Sequence, residues 1–516
     1  MKSLLVIAAL LAAGCSAATK EAATENPLPP GYVTLSTFTA DVDTVAGTFV
    51  IRSEPVAGAR MPGMSQLVIV DPTEVTVANN GASWFNDPTE KGCGSVPTWG
   101  ANVTVTNKIA SPTSLAGVYA EITSFGGASG TESCNKVVIA STPAGMSNTY
   151  GLWSYGTLQP ATGAASTNWT FNYTTATRFS FSGRIVGVKV DSYQSLPSSV
   201  RTSGGITAFG SYMVYGSNGN GNLAYVSAST GALADEVATA PSSASIVSTV
   251  AGDATNDRVW FGSQQSAAAG YIGVVSKPGH VVYRATVDNA APYSIVIDPT
   301  NSSMAWYRSV GLDYIRSATY DSGTDTVAIN PTFTGTGSGS QAMAMGPGGN
   351  LYLSFFNDGI YEYTTNSSTG VATFVKNYPN GVNCGGLGDM LWVASKSTLF
   401  VAANGSGFIC AVTFTGTGSG RTATWTPVVH QSGASNSRQM VWGPSGRAFP
   451  NDYALWVTNL EDNTVLRVDP DGTYPEYTLT MPVAMGSTYS GPAMAALSST
   501  GEIWTTNNVA VFRIHP

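Results

Sequence analysis

Residues 346–363 read GPGGNLYLSFFNDGIYEY and contain one unit of a pattern that recurs along the C-terminal part of the chain. A Gly- and Pro-rich turn is followed by an apolar stretch centred on Tyr352, an Asn-Asp-Gly turn and a second stretch rich in apolar and aromatic residues. Short runs of β-branched and aromatic residues between such turns are typical of antiparallel strands. The unit therefore predicts a small antiparallel sheet.

The position of Tyr352 recurs at a nearly constant spacing. The equivalent residues are Val214, Trp260, Trp306, Phe400, Trp456 and Trp504. The steps along the series are 46, 46, 46, 48, 56 and 48 residues. A period in this range with β-rich units predicts a β-propeller in which each repeat forms one four-stranded blade. We expect seven blades in residues 204–516, with six as the alternative because the first repeat is the least regular.

The recurring aromatic residues allow two interpretations. They could form a ring on which sugars stack, or they could fill the space between adjacent blades. Their identical place in every second strand favours the core.

The seventh repeat ends after its third strand, at residues 509–514. An open strand edge would favour aggregation. We therefore expect residues 184–203 to supply the missing fourth strand and close the ring.

Residues 32–191 lack this period but alternate apolar with Thr, Ser and Asn residues, as in segments 48–51, 102–105 and 118–122. Such alternation predicts strands with one buried face, so we expect an all-β, immunoglobulin-like β-sandwich ahead of the propeller. The Cys…Trp…Cys spacing of true immunoglobulin domains does not occur, and only the architecture is implied. Residues 192–203 are interpreted as a linker or closing strand.

The N-terminus predicts export. Lys2 precedes the apolar residues 4–13, which are too few to span a bilayer. The sequence LAAGC at 11–15 resembles the lipobox of bacterial lipoproteins, which implies a signal peptide over 1–14 and a lipid, such as palmitate, on Cys15. Ser16 then favours the outer membrane, and residues 15–31 form a tether. The alternative is an ordinary secretory signal that is cut nearby.

Four cysteines remain besides Cys15, an even number in an exported chain. They fall into two locally spaced pairs, and we expect the disulfides Cys93–Cys134 and Cys384–Cys410. A metal site is the alternative, but neither a CxxC motif nor a cluster of histidines supports it.

Only 10% of the residues are charged, the net charge is −8 and the pI is near 4.9. Nucleic-acid binding requires clustered Lys and Arg residues, which the sequence does not contain. We therefore expect no nucleic-acid partner.

Segments such as DPTN…AWYR, GPGGNLYLS and NTVLRVDPDG resemble the NHL-repeat and streptogramin-lyase-like propellers over residues 204–516. The lyase branch uses His and Glu residues with a divalent metal. This chain has only His280, His430 and His515, and none stands in a Glu-x-His pair. We therefore expect no metal and no cofactor, and enzymatic activity is left open, with a non-enzymatic role favoured.

In a propeller, the connections after each second strand open onto one face, where ligands are expected. The candidate ligand-binding residues there are Gln264, Arg308, Phe356, Asn357, Asn404, Asn459 and Asn507. The alternative is that the Asn residues only form turns. The sequence favours a lipid-anchored cell-envelope protein whose propeller binds a glycan, peptide or protein. A propeller lyase or hydrolase, or a structural envelope scaffold, are the alternatives.

Overall fold

The computed structural model describes most of the chain from residue 32 onward. The described residues are 32–43, 46, 48–54, 74–85, 98–126, 132–133, 146, 149–172, 178–193, 205–216, 221–239, 246–253, 256–266, 269–276, 281–288, 291–310, 314–335, 339–430, 437–444, 453–459, 464–468, 470, 477–480, 494–498, 501–506 and 511–515. In these residues, helical turns are limited to the 3₁₀ turns Pro347–Gly349, Ala394–Lys396 and Gly418–Gly420. No helix among them has the length and apolar character needed to cross a membrane.

The N-terminal part is a sandwich of two antiparallel sheets. Its strands are β1 (Val33–Asp43), β2 (Thr48–Glu54), β3 (Val75–Phe85), β4 (Thr98–Asn107), β5 (Thr113–Gly126), β6 (Glu132–Ser133), β7 (Leu152–Leu158), β8 (Ala164–Asn172) and β9 (Arg178–Tyr193). One sheet has the order β2-β1-β9-β5-β7 and the other the order β3-β4-β8-β6. The alternating sequence thus places one face of each strand in a shared core.

Aromatic residues fill that core. Trp153 and Trp169 are fully buried and stack with ring centroids 4.6 Å apart. Phe171 and Phe181 pack beside them at 5.1 Å from each other. Trp169 donates its indole N–H to the Tyr155 hydroxyl at 3.0 Å, which satisfies a polar group that would be costly to bury alone.

The remaining described strands, together with the end of β9, form seven blades, of which the third carries a fifth strand. The first three blades are β10 (Ile206–Phe209), β11 (Tyr212–Gly216), β12 (Asn222–Ser227) and β13 (Leu233–Ala238); β14 (Ile246–Asp253), β15 (Arg258–Ser266), β16 (Ala269–Ser276) and β17 (Val281–Asp288); and β18 (Ala291–Ile297), β19 (Met304–Val310), β20 (Tyr314–Asp321) and β21 (Thr326–Ile329), with the added strand β22 (Thr334–Gly335).

The next three blades are β23 (Ser340–Met345), β24 (Leu351–Phe355), β25 (Gly359–Asn366) and β26 (Val371–Tyr378); β27 (Leu387–Val393), β28 (Thr398–Ala403), β29 (Phe408–Thr415) and β30 (Thr422–His430); and β31 (Ser437–Pro444), β32 (Tyr453–Asn459), β33 (Thr464–Val468) and β34 (Tyr477–Thr480). The last blade combines β35 (Met494–Leu497), β36 (Ile503–Thr506) and β37 (Val511–Ile514) with the end of β9.

The first strand of each blade lines the centre of a closed ring. Each inner strand contacts the next, and β35 contacts β10. The recurring second-strand residues Trp260, Trp306, Tyr352, Phe400, Trp456 and Trp504 are all buried. Their predicted role as core between adjacent blades is confirmed, and the interpretation as a sugar-stacking ring is wrong because these rings do not reach solvent.

Strand β9 belongs to both parts of the molecule. Its first part pairs with β1, and β5 runs along its other edge. Its last residues, 190–193, pair with β37 and complete the seventh blade. The closing strand therefore lies within the predicted range 184–203, but it continues a sandwich strand and is not a separate linker element.

An apolar cluster joins the sandwich to the propeller beside this strand. Val186, Val188 and Val190 of β9 pack with Trp456 and Phe512 of the last two blades. A fully buried Phe or Val side chain contributes about 1.5–3 kcal/mol. The interface is therefore part of the folded core.

An ionic cluster lies where the ring closes. The carboxylate of Asp191 accepts hydrogen bonds from Thr113 Oγ1 at 2.6 Å, Arg513 Nε at 2.7 Å and His515 Nε2 at 3.1 Å. Arg513 also donates to the carbonyl of Ala228 in the first blade at 3.0 Å. The cluster thus connects the sandwich with the last and first blades.

Candidate functional site

The upper face is the end of the ring at which inner strands begin and second strands end. In the described blades, β14, β18, β23, β27 and β31 each carry a β-bulge near this end. A bulge places an extra residue in one strand and redirects its side chains, and bulges are frequent next to functional sites. The upper face is therefore where the strands depart most from regular pairing.

Side chains of the second strands form hydrogen bonds with these bulges, including the bulge of the next blade. Ser354 accepts the N–H of Ala342 at 3.0 Å and donates to the carbonyl of Gly388 in the next blade at 2.7 Å. Arg308 occupies the same repeat position one blade earlier and donates to the carbonyl of Gln341. Arg308 therefore holds two blades in register, and its residue is only 5% exposed.

Three of the predicted face residues lie inside second strands and not in the connections after them: Gln264 in β15, Arg308 in β19 and Asn459 in β32. The predicted residues also differ in accessibility. Phe356 is 44% exposed and Asn357 is exposed, whereas Gln264 and Asn404 are half-buried. Asn459, like Arg308, is buried. Asn507 lies outside the described residues. Arg308 and Asn459 are thus placed to position neighbouring groups, and the surface available to a ligand comes from the other residues.

Two glycines, Gly386 beside the Phe356 ring and Gly405 directly after Asn404, pack against each other. A methyl group on Gly386 would lie 2.4 Å from the Gly405 Cα atom and 3.3 Å from the Phe356 ring. Gly405 donates its N–H to the Gly386 carbonyl at 3.2 Å. Because no side chain fits between these backbones, they form a floor without side chains beside the Phe356 ring.

A disulfide fixes the loop that carries this floor. Cys384, in the connection between β26 and β27, is bonded to Cys410 of β29, which confirms this predicted pair. Closing a segment of this length is worth about 3 kcal/mol on the chain-entropy account. Cys93 and Cys134 lie outside the described residues, so their pairing remains a prediction.

The same loop contributes residues that the sequence did not single out. Asn380 donates to the carbonyl of Asn357 at 3.1 Å, and Val382 is 84% exposed. We call Phe356, Asn357, Asn380, Val382 and Asn404 the upper-face patch. Asn380 and Val382 lie shortly before Cys384 in the sequence. The predicted disulfide of Cys384 is the sequence signal that could have identified them.

Two amide oxygens of the patch are enclosed without a hydrogen-bond partner. Asn380 Oδ1 and Asn404 Oδ1 accept no hydrogen bond from any residue that the structure describes. An enclosed acceptor that loses its hydrogen bond to water costs about 1–3 kcal/mol. Both oxygens are therefore enclosed by the protein itself and present almost no surface to an external molecule.

One carboxyl group lies near the upper end of the inner strand β27. Asp389, at the bulge of β27, accepts the N–H of Met440 in the next blade at 2.8 Å. Burial raises the pKa of Asp389 to about 7, although the N–H groups of Met440 and Met390 lower it in part. Met440 also lines a central cavity of about 460 Å³.

The described residues contain no group of three or more His, Cys, Asp or Glu side chains arranged to hold a metal ion. His515 belongs to the Asp191 cluster at the ring closure. His280 and the His430 side chain lie outside the part of the chain that the structure describes.

Comparisons with known proteins agree at the level of fold. No protein-family model matches the chain, and no curated protein matches it. The structure is similar to that of streptogramin B lyase, with a TM-score of 0.48 and 17% identity, covering 63% of this chain and 97% of that chain. It is also similar to the Myceliophteria thermophila Cps50 (Swd1) β-propeller domain, with a TM-score of 0.45 and 9% identity, covering 62% of this chain and 97% of that chain.

A putative 6-phosphogluconolactonase from Bacteroides uniformis is similar as well, with a TM-score of 0.42 and 13% identity, covering 58% of this chain and 87% of that chain. Since one fold supports many unrelated functions, these similarities carry no conclusion about activity or ligand.

Proposed function

We propose that this chain is a cell-envelope protein whose propeller binds a glycan, peptide or protein partner through the upper-face patch. The observation that carries the proposal is the exposed Phe356 ring, which is followed by the exposed Asn357 and accompanied by the exposed Val382 of the disulfide-fixed loop. Binding sites commonly combine an apolar contact surface with a few polar groups that fix orientation. The disulfide and the glycine floor support it by holding these groups in place without a ligand.

The replacement of Phe356 by Ala is expected to weaken retention on envelope extract about thirtyfold. Loss of a central aromatic contact typically costs about 2 kcal/mol of binding free energy. Retention of a soluble form, residues 16–516, would be measured on immobilised envelope polysaccharide and protein. Phe374→Ala is the matched control because Phe374 is 50% exposed on the outer strand β26. Equal weakening by both substitutions would contradict the proposal.

We also propose that Cys15 carries a lipid that anchors the protein in the outer membrane. The lipobox-like residues 11–15 and the tether up to residue 31 support this proposal. Cys15→Ala is expected to move the protein from the membrane fraction to the soluble fraction, which fractionation and labelling with radioactive palmitate would measure. Continued membrane association and labelling of the variant would reject the anchor.

A lyase or hydrolase is the second candidate, favoured by Asp389. A carboxyl group whose pKa is near 7 can accept or release a proton at neutral pH, as general acid–base catalysis requires. Formation of a small product from the envelope extract, and its loss in Asp389→Asn, would favour an enzyme over a binding module. Chelator sensitivity of that product would indicate a metal.

A further inference from the structure

The central cavity lies inside the ring of inner strands. It has a volume of about 460 Å³, and its lining comes from β10, β14, β18, β23, β31 and β35. Small-molecule sites in proteins commonly have volumes of about 300–1,000 Å³. The cavity is therefore large enough to hold a small organic molecule.

The cavity is separate from the upper-face patch, and none of the patch residues lines it. The lining residues Val250 of β14, Val296 of β18 and Met345 of β23 each follow the bulge of their strand. On β35 the lining includes Leu497, the last residue of the strand. Because the inner strands begin at the upper face and carry their bulges near it, the cavity extends away from that face.

The walls of the cavity are apolar and accessible. The apolar lining residues that remain partly exposed are Val250, Val296, Ile297, Met345, Val441 and Leu497. They belong to the central strands of the ring, so their exposed surface faces the cavity. Thr207 and Gln439 supply the polar side chains of the lining, and none of the lining residues is charged.

Water is held weakly beside such walls. A buried water molecule is held by about two to four hydrogen bonds, and aliphatic side chains offer none. Replacement of poorly ordered water by an apolar group favours binding. The flexible thioether of Met345 can adapt to the shape of a bound molecule. Thr207 and Gln439 add a few polar groups that can fix its orientation.

We propose that the central cavity binds one neutral, mainly apolar small molecule. A charged molecule would lose its water without meeting an opposite charge in the lining, which disfavours it. This site differs in place and in ligand from the upper-face patch, so the inference does not depend on the proposed function.

The uncharged dye N-phenyl-1-naphthylamine tests the site, because its fluorescence rises when it leaves water. It would be titrated into residues 16–516, and we expect a saturable rise with one dye per chain. The sulfonated analogue 8-anilino-1-naphthalenesulfonate should bind at least about tenfold more weakly, even in about 0.5 M salt, which screens the net charge of −8. The absence of saturable dye binding, or equal binding of both dyes, would overturn the inference.

Isosteric substitutions place the dye in the cavity. The double variant Val250→Thr and Val296→Thr keeps the shape of the wall but replaces two methyl groups by hydroxyls, and it should weaken dye binding about tenfold. Val375→Thr is the matched control, since Val375 is also partly exposed but lies on the outer strand β26. Equal dye affinity of the double variant and the control would place the dye elsewhere and overturn the inference.

A change of volume provides a second test that adds no polar group. Met345→Trp reduces the space at the cavity wall and should weaken dye binding about tenfold or more, whereas Met345→Leu nearly conserves volume and should retain it within about threefold. Circular dichroism and thermal unfolding would verify that both variants fold. Equal dye affinity of the two folded variants, or a dye signal that is lost in Phe356→Ala, would overturn the cavity as the binding site.

Discussion

Asp191→Ala is expected to lower the free energy of unfolding by about 3–5 kcal/mol, which is the usual cost of removing one partner from a buried ion pair. Asp191 holds Arg513, and the side chains of the two residues are 3% and 13% exposed. Without the carboxylate, Arg513 would remain enclosed with an uncompensated charge next to Trp504. Urea unfolding monitored by tryptophan fluorescence would measure the change.

A surface ion pair of the sandwich provides the control. Arg52 and Asp41 are 2.6 Å apart, but both side chains are more than half exposed. Exposed pairs contribute about 0–1 kcal/mol, so Asp41→Ala should have a small effect. Equal effects of Asp41→Ala and Asp191→Ala would show that the ring closure does not depend on the Asp191 cluster.

The contribution of the Asp191 carboxylate should also be visible in how the free energy of unfolding changes with pH. Burial alone would raise the pKa of this carboxyl, but hydrogen bonds from His515, Thr113 and Arg513 together hold it well below its usual range. A carboxyl group whose pKa is lower in the folded than in the unfolded protein stabilises the fold at pH values above its unfolded-state pKa, which is about 4 for Asp. This stabilisation is lost as the pH falls below that pKa. The wild type should therefore lose more stability than Asp191→Ala between neutral and strongly acidic pH.

The repeat pattern predicted the propeller because each second strand is almost wholly buried and, from the second repeat on, carries a large aromatic side chain at one fixed position. That side chain recurs at the same place in each unit, so spacing alone locates the blades. The double use of β9 could not be predicted in the same way. Valines occupy every second position of β9 at 186, 188 and 190, and this alternation would be the same for a strand of the sandwich and for a strand of the propeller. Only the pairing of β9 with β37 in the structure shows that the strand belongs to both.

The upper face was predictable in position but not in accessibility. Phe356 and Asn404 both follow a second strand by the same offset, and both reach the surface region. Arg308 lies inside the second strand β19 and is buried, because its guanidinium reaches the bulge of the next blade. The sequence does not show which backbone carbonyl a bulge leaves free to accept a hydrogen bond. The burial of Arg308 could therefore be recognised only from the structure.

Removal of the sandwich is expected to abolish the cooperative fold of the propeller. A chain of residues 204–516 retains all seven repeats but lacks β9, which supplies the outer strand of the last blade. The edge of β37 would then expose unpaired backbone groups, and the apolar side chains of Phe512 and Ile514 would lose Val188 and Val190. An unpaired apolar edge favours association with other chains.

A chain of residues 32–516 is the matched control, because it keeps β9 and every other described strand. Size-exclusion chromatography and thermal unfolding would compare the two chains. We expect residues 32–516 to be monodisperse with a sharp transition, and residues 204–516 to aggregate or to unfold without one. A monomeric, cooperatively melting chain of residues 204–516 would mean that the ring closes without the sandwich. Since β9 continues directly from the sandwich, the expected result would make the sandwich an integral part of the propeller and not a detachable spacer.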